Sequence, residues 1–294
     1  MRVSVGQLCS SASLTRNLHV VYKILNQAIQ QKSQILFLPE ATDYISQNAL
    51  HSTELAKQVE SSFLQPLLNH IKKLKSSTYV SVGVHLPGGS ARKVRNVHLL
   101  IDPQGKIVCE YQKIHLFDVD VPNGPILKES NAIEPGNQVT APFHIPNTKF
   151  NVGLAICYDI RFPELSLKLR QLGANILTFP SAFTTKTGQA HWEILSRSRA
   201  LDTQCFVINA AQCGQHDVGT NLQGDVVKRV SYGESIIVDP WGRVLARGRK
   251  FDDELKRDVD DDYYEVITSE LDIEELEKIR INMPLLEHRR GDMF

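Results

Sequence analysis

Cys157 stands where an apolar run gives way to a turn. The stretch Val152-Gly153-Leu154-Ala155-Ile156-Cys157-Tyr158-Asp159-Ile160-Arg161-Phe162-Pro163-Glu164 predicts a buried strand, a sharp turn, and a helix with Pro163 and Glu164 in its first turn. A thiol at such a junction lies beside free backbone N–H groups and the positive end of a helix. Both lower thiol pKa and offer donors to a developing oxyanion. A buried, inert cysteine fits the same segment. Glu40 follows Ile35-Leu36-Phe37-Leu38-Pro39, again at the C-terminal end of a strand, where a helix cap or loop charge is the ordinary use. Lys113, in Tyr111-Gln112-Lys113-Ile114-His115-Leu116-Phe117-Asp118, follows a hairpin strand, where a lone lysine is commonly solvated. Ligand sites of open α/β sheets gather at strand C-terminal ends, which gives thiol, carboxylate and ammonium one place to meet. His115, two residues after Lys113, is an alternative base or a neighbouring loop histidine, and His191 beside Trp192 reads as packed. The chain lacks H-E-x-x-H, paired Cys/His ligand spacing, G-x-S-x-G and G-x-G-x-x-G, so metal hydrolysis, a serine elbow and a dinucleotide site are unsupported.

The elements that must carry these groups alternate between short β-branched runs and longer helical patterns. Strands are predicted at 2–9, 35–38, 78–86, 93–101 and 106–111, and helices at 14–32 and 52–75, the second with a break near Pro66. Asp102-Pro103-Gln104-Gly105 supplies a hairpin turn. The second half repeats the order: a strand at 150–156, a helix through 172, a strand at 175–179, a helix at 188–202, then strands at 206–211, 234–238 and 244–246. Its own turn is Asp239-Pro240-Trp241-Gly242. Two like halves predict a layered sheet core with helices outside, an α/β fold. Segments 122–146 and 212–230 read as long loops, and loops of that length in a compact domain tend to be functional. The acidic run 252–265 reads as a solvated face or a connecting loop, and 282–294 as a C-terminal arm.

Composition narrows the function classes. The 294 residues carry 33 basic and 33 acidic side chains, 33 − 33 = 0, which argues against a polyanion binder that works by bulk electrostatics. No stretch approaches the roughly 20 apolar residues of a membrane helix. The first residues, Met1-Arg2-Val3-Ser4-Val5-Gly6-Gln7-Leu8, read as a strand and lack the pattern of a secretory signal. Five scattered cysteines (9, 109, 157, 205 and 213), none in C-x-x-C, predict free thiols in a reducing compartment, by default the cytoplasm.

Taken together, the motifs around Glu40 (F-L-P-E), Lys113 (Y-Q-K-I-H-L-F-D) and Cys157 (A-I-C-Y-D-I-R-F-P-E) resemble the Glu-Lys-Cys triad of the nitrilase superfamily of carbon–nitrogen hydrolases. The likeness extends along nearly the whole chain, through Pro180-Ser181-Ala182-Phe183-Thr184, Ala190-His191-Trp192-Glu193, Arg197-Ser198-Arg199-Ala200 and His288-Arg289-Arg290. Phe117-Asp118-Val119-Asp120-Val121-Pro122 and Leu127-Lys128-Glu129-Ser130 are most similar to the Nit branch, in its deaminated glutathione amidase group.

That resemblance implies a four-layer α-β-β-α sandwich, one domain over residues 1–294, and a homodimer paired through helices. It implies amide hydrolysis through a thioester, with Cys157 as nucleophile, Glu40 as base, and Lys113 with the Tyr158 N–H at the oxyanion. Glu129 matches the supporting acid. The implied substrate is a small-molecule amide, deaminated glutathione; no cofactor, metal, nucleic acid or membrane is expected. A pocket for its acyl group must pair a carboxylate, for which Arg161 is placed, with Phe183 and Thr187 as further contributors. Two departures stand out. Gly233-Glu234-Ser235 replaces the common Gly-His-Ser, and the loop 215–229 varies in length among relatives. The competing readings are an amidase for 2-oxoglutaramate or another small amide, and a catalytically silent dimeric interaction module.

Overall fold

The computed structural model describes residues 1–120, 126–220, 223–251 and 263–293. Its strands are β1 (Arg2–Leu8), β2 (Ile35–Phe37), β3 (Tyr79–Pro87), β4 (Val94–Ile101), β5 (Ile107–Gln112), β6 (Asp118–Asp120), β7 (Ile126–Lys128), β8 (Phe143–His144), β9 (Asn151–Leu154), β10 (Ile176–Thr178), β11 (Phe206–Asn209), β12 (Cys213–His216), β13 (Arg229–Tyr232), β14 (Ile236–Val238), β15 (Val244–Arg247) and β16 (Tyr264–Glu270). One sheet runs β16-β1-β2-β3-β4-β5 and a second runs β15-β14-β11-β10-β9-β8. In each, the central strands are parallel and the outer ones antiparallel.

Side-chain alternation explains the layering. Val3, Val5, Ile35 and Phe37 point from the first sheet into a core shared with Val152, Leu154, Ile176 and Phe206 of the second. Their neighbours Leu36 and Leu38 point the other way and pack under the helices. A strand covered on both faces is apolar throughout, which is why 35–38 reads as an unbroken hydrophobic run. On the outer face of the first sheet lie α1 (Leu14–Gln30), α2 (Ala49–Val59) and α3 (Gln65–Leu74). Leu165 and Leu169 of α4 (Pro163–Gln171) and Trp192 and Ala200 of α5 (Thr185–Thr203) join the core of the second. The result is the four-layer α-β-β-α sandwich.

Several boundaries depart from the sequence reading for identifiable reasons. Near Pro66 the helix continues through a wider turn at Glu60–Leu64, in which the Gln65 N–H bonds to Glu60 O. Proline's missing N–H is thereby absorbed without a break. The segment 212–230 is not wholly a loop: β12 and β13 form an antiparallel hairpin at its ends. Within 122–146, β7, a 3₁₀ turn at Glu129–Asn131 and β8 punctuate the chain. Most of the acidic run, 252–262, lies outside the described residues, as do the first residues of the 122–146 segment. Beyond it the chain returns as β16, which pairs along β1, and as α6 (Ile273–Asn282) and α7 (Leu285–His288).

One buried histidine ties the layers together. His98 of β4 is fully buried, with Nε2 2.6 Å from Ser81 Oγ and Nδ1 3.0 Å from the Ala155 carbonyl. The carbonyl can only accept, so Nδ1 carries the proton and Nε2 accepts from serine. Burial, opposed by the Ala155 bond, lowers its pKa from 6.5 to about 4. Below pH 6.5 an unfolded chain takes up a proton that the folded one refuses, so folding stability falls as pH drops from 6.5 toward 4. The loss reaches about 3 kcal/mol. Urea unfolding midpoints measured through that window should fall more steeply for the wild-type chain than for His98→Asn.

Candidate active site

Three strand ends supply the central groups. Glu40 sits just after β2, where Leu38 N–H bonds to Ser81 O and Gly83 N–H bonds to Pro39 O. A Cβ on Gly83 would lie 2.6 Å from the Glu40 Cα, so only glycine lets β3 approach this closely. Ala41 has φ +55°, a strained conformation for a residue with a side chain. The strain is held by Gln212, whose Nε2 donates to the carbonyls of Glu40 (3.0 Å) and Ala41 (3.1 Å).

Lys113 follows β5, its N–H bonded to Asn96 O at 3.0 Å. Cys157 opens a 3₁₀ turn, Cys157–Arg161, directly after the strand through Leu154. Its φ of +46° is again left-handed, and its N–H bonds to Pro180 O. The fully buried Asp159 carboxylate holds this turn: it accepts from Ile156 N–H (2.9 Å), Tyr111 O–H (2.8 Å) and His115 N–H (3.2 Å), with His115 Nδ1 at 2.7 Å.

These ends converge. Lys113 Nζ donates to Glu40 Oε1 and to Glu129 Oε1, both at 2.9 Å. Asn96 Nδ2 donates to Glu40 Oε1 at 2.8 Å and reaches Glu129 Oε1 at 3.4 Å. Glu40 Oε2 accepts from the Ala182 N–H at 3.0 Å, and Glu129 Oε2 from the Phe117 N–H at 2.7 Å. The Cys157 thiol lies beside the Glu40 carboxylate and interacts with it. Burial pushes the Glu40 carboxyl up, but the Lys113 charge and hydrogen bonds from Lys113, Cys157 and Asn96 hold it below the ordinary range. Burial likewise opposes the Lys113 ammonium, which Glu129 and Glu40 more than restore. For Cys157, burial and then the Glu40 charge push the thiol up, against Lys113. The resting site is therefore a neutral thiol beside a carboxylate that is bonded to an ammonium, an arrangement in which the carboxylate can take the thiol proton.

A cavity of about 650 Å³ opens onto the cluster. Arg161, Phe183 and Thr187 all line it. Arg161 lies over the rings of Tyr158 (5.8 Å) and Phe183 (5.6 Å) and donates to His191 Nδ1 at 3.1 Å, so its partners are aromatic faces and a histidine. Phe183 is wedged edge-on against Trp192, and Thr187 Oγ1 lies 2.9 Å from Thr184 Oγ1 at the start of α5. The Tyr158 N–H belongs to the first turn of the 3₁₀ segment, where N–H groups find no partner within the turn. His115 stacks on Phe162 at 3.7 Å and serves Asp159, leaving Glu40 as the proton acceptor beside sulfur. Glu234 lies apart from the cavity: buried at φ +64°, it pairs with Arg247 and with Lys250 (3.2 Å), while its carbonyl accepts from Trp192 Nε1.

Sequence reasoning missed Asn96, Asp159, Gln212 and the Ala182 N–H, all of which orient the reacting groups. Asp159 carried the best signal, an acid two residues past Cys157 among apolar neighbours. Asn96 and Gln212 are amides in unremarkable strand contexts. The arrangement makes Glu40→Gln a separation of functions. Amide turnover should fall by about 10²–10⁴-fold for want of the base. Iodoacetamide labelling of Cys157, followed by mass spectrometry across pH, should show its midpoint moved down, since the opposing charge is gone and Lys113 remains.

Comparison with known proteins gives the chain a family. Residues 2–281 match the carbon–nitrogen hydrolase family. A "Probable hydrolase nit2" of Schizosaccharomyces pombe is 42% identical over 293 residues, covering 99% of this chain and 98% of that one. The deaminated glutathione amidase of Homo sapiens is 36% identical, covering 99% and 83%. Among solved structures, the C. elegans NitFhit protein superposes with a TM-score of 0.85 at 36% identity, over 100% of this chain and 66% of that one. Saccharomyces cerevisiae Nit3 gives 0.75 at 27% identity, over 98% and 97%. Fold, cluster and likeness lead to one conclusion: the chain belongs to the carbon–nitrogen hydrolases, enzymes of the nitrilase fold.

Proposed function

We propose that the protein hydrolyses deaminated glutathione to 2-oxoglutarate and cysteinylglycine, with Glu40, Lys113 and Cys157 as the catalytic triad. The observation that carries the reading is the buried Glu40 carboxylate, which stands beside the Cys157 thiol and is bonded to the Lys113 ammonium at 2.9 Å. Relatives of this chain in mouse, cattle and human named deaminated glutathione amidase, 36–37% identical across 99% of it, support the choice of substrate.

In the first half-reaction Glu40 takes the thiol proton as sulfur bonds to the acyl carbon. The resulting oxyanion is met by the Lys113 ammonium and the Tyr158 N–H, and losing one such donor typically costs about 10²–10³ in rate. The C–N bond then breaks, Glu40 delivers its proton to nitrogen, and cysteinylglycine leaves from a thioester. In the second half Glu40 takes a proton from water, whose oxygen bonds to the acyl carbon. The C–S bond breaks and the proton returns to sulfur as 2-oxoglutarate departs. Glu129 keeps Lys113 aimed, while Arg161, Phe183 and Thr187 hold the acyl end, the guanidinium pairing its carboxylate.

The acting unit in this reading is a single catalytic domain with 282–294 as an arm, working as a homodimer in the cytoplasm. Support for pairing comes from α5, which exposes Ile194 and Leu201 beside the exposed Trp241; Arg197 of the same helix binds Gly242 O at 2.8 Å. Contiguous exposed apolar groups of this kind favour a partner surface. Purified enzyme should release cysteinylglycine from deaminated glutathione much faster than ammonia from 2-oxoglutaramate, measured by kcat/KM. The reverse order would move it to the small-amide reading, and turnover surviving in Cys157→Ala would remove the nucleophile. Sedimentation should give a dimer for the wild type and a lighter species for Ile194→Glu.

A further inference from the structure

The triad and the acyl-binding residues leave one wall of the cavity unexplained. That wall is the hairpin of β12 and β13, in which His216 stands opposite Arg229. Side chains alternate along a strand, so Arg229 and Ser231 share a face with His216, and all three line the cavity. The inner end of the hairpin is firmly seated. His216 bonds Ser231 Oγ and the Ser10 carbonyl, each at 2.8 Å, and the Tyr232 N–H bonds to Phe183 O at 2.9 Å. Burial decreases outward, from Tyr232 and Ser231 to an exposed Arg229 at the mouth.

The charges are uneven. Glu40 and Glu129 are the only carboxylates among the described lining residues, and both are committed to Lys113. Lysines 128 and 228 join Arg161 and Arg229 around them. Arg229 forms no ion pair among the described residues, and no carboxylate stands close enough to act on its charge. A chain of zero net charge has thus gathered cations at this one mouth. Arg161 lies on the turn of Cys157 itself, so it serves the acyl side. Arg229 is carried by a different element, two strand positions or about 7 Å outward of Ser231.

We propose that Arg229 is the specificity-determining residue for a carboxylate on the leaving-group side, two residues beyond the bond that breaks. The inference rests on the proposed hydrolysis of deaminated glutathione and names what selects its dipeptide half: a fork of N–H donors for the terminal glycine carboxylate. A small amide that releases ammonia gains nothing from this contact.

The test compares kcat/KM for deaminated glutathione and for the same molecule with its glycine carboxylate converted to a carboxamide. The wild type should prefer the free acid by about 10- to 100-fold, the worth of a charge-assisted pair. Arg229→Gln should bring that ratio close to one, and Arg229→Lys should leave it between the two. Partial misfolding lowers both rates by the same factor and cancels from the ratio, so the ratio reads recognition. Equal use of the two substrates by the wild type overturns the inference, as does a ratio unchanged in Arg229→Gln. A wild type that cleaves 2-oxoglutaramate but neither dipeptide substrate would instead overturn the functional reading beneath it.

Discussion

A buried ammonium between two carboxylates is the constraint around which this molecule is arranged. Charges removed from water cost several kcal/mol each unless geometry and further hydrogen bonds repay them. Here every oxygen of both acids has a donor: Lys113 and Asn96 on the Oε1 side, Ala182 and Phe117 backbone groups on the Oε2 side. That satisfaction is what allows Glu40 to stay ionised in a nearly dry setting. With two carboxylates facing one ammonium, a thiolate would be a further negative charge in excess, so the resting sulfur keeps its proton. The chemistry is gated by electrostatics as much as by position.

Holding three such groups together strains the backbone where it matters. Both Ala41, next to the base, and Cys157 adopt left-handed angles that cost about 1–3 kcal/mol apiece. The compensations are local and polar: Gln212 secures the first turn through two carbonyls, and Asp159 secures the second through Ile156, Tyr111 and His115. Preorganisation of this sort places the donors before the reaction begins, so no reorganisation is required as charge develops.

The layered architecture and the meeting of Glu40, Lys113 and Cys157 were legible because both leave strong local marks. A strand buried on two faces, such as 35–38, writes an unbroken apolar run, and an acid, a lysine and a cysteine each placed just past a strand write chemistry at a sheet edge. What stayed hidden depends on tertiary partners. The hairpin at 213–216 and 229–232 has a polar sequence, and its pairing is fixed by Ser10, Thr184 and Phe183 from distant segments. The turn at Pro66 looked like a helix break because proline's local cost is visible and the wide turn that absorbs it is not. Arg161 offered acidic neighbours in sequence yet chose aromatic faces in space. Glu234 looked like a damaged contact; it proves to anchor a separate ion-pair cluster with Arg247 and Lys250.

The pairing of β16 with β1 bears on how the chain is made. Arg2 lies opposite Glu270, and the Met1 amine donates to the Leu271 carbonyl, so one edge of the first sheet is closed by residues translated some 260 positions later. On the ribosome that edge stays open, an unpaired row of amides and carbonyls of the kind that recruits neighbouring chains. Completion of the sandwich is thus deferred until the C-terminal strand emerges, and nascent chains truncated before it are the form of this protein most in need of a chaperone.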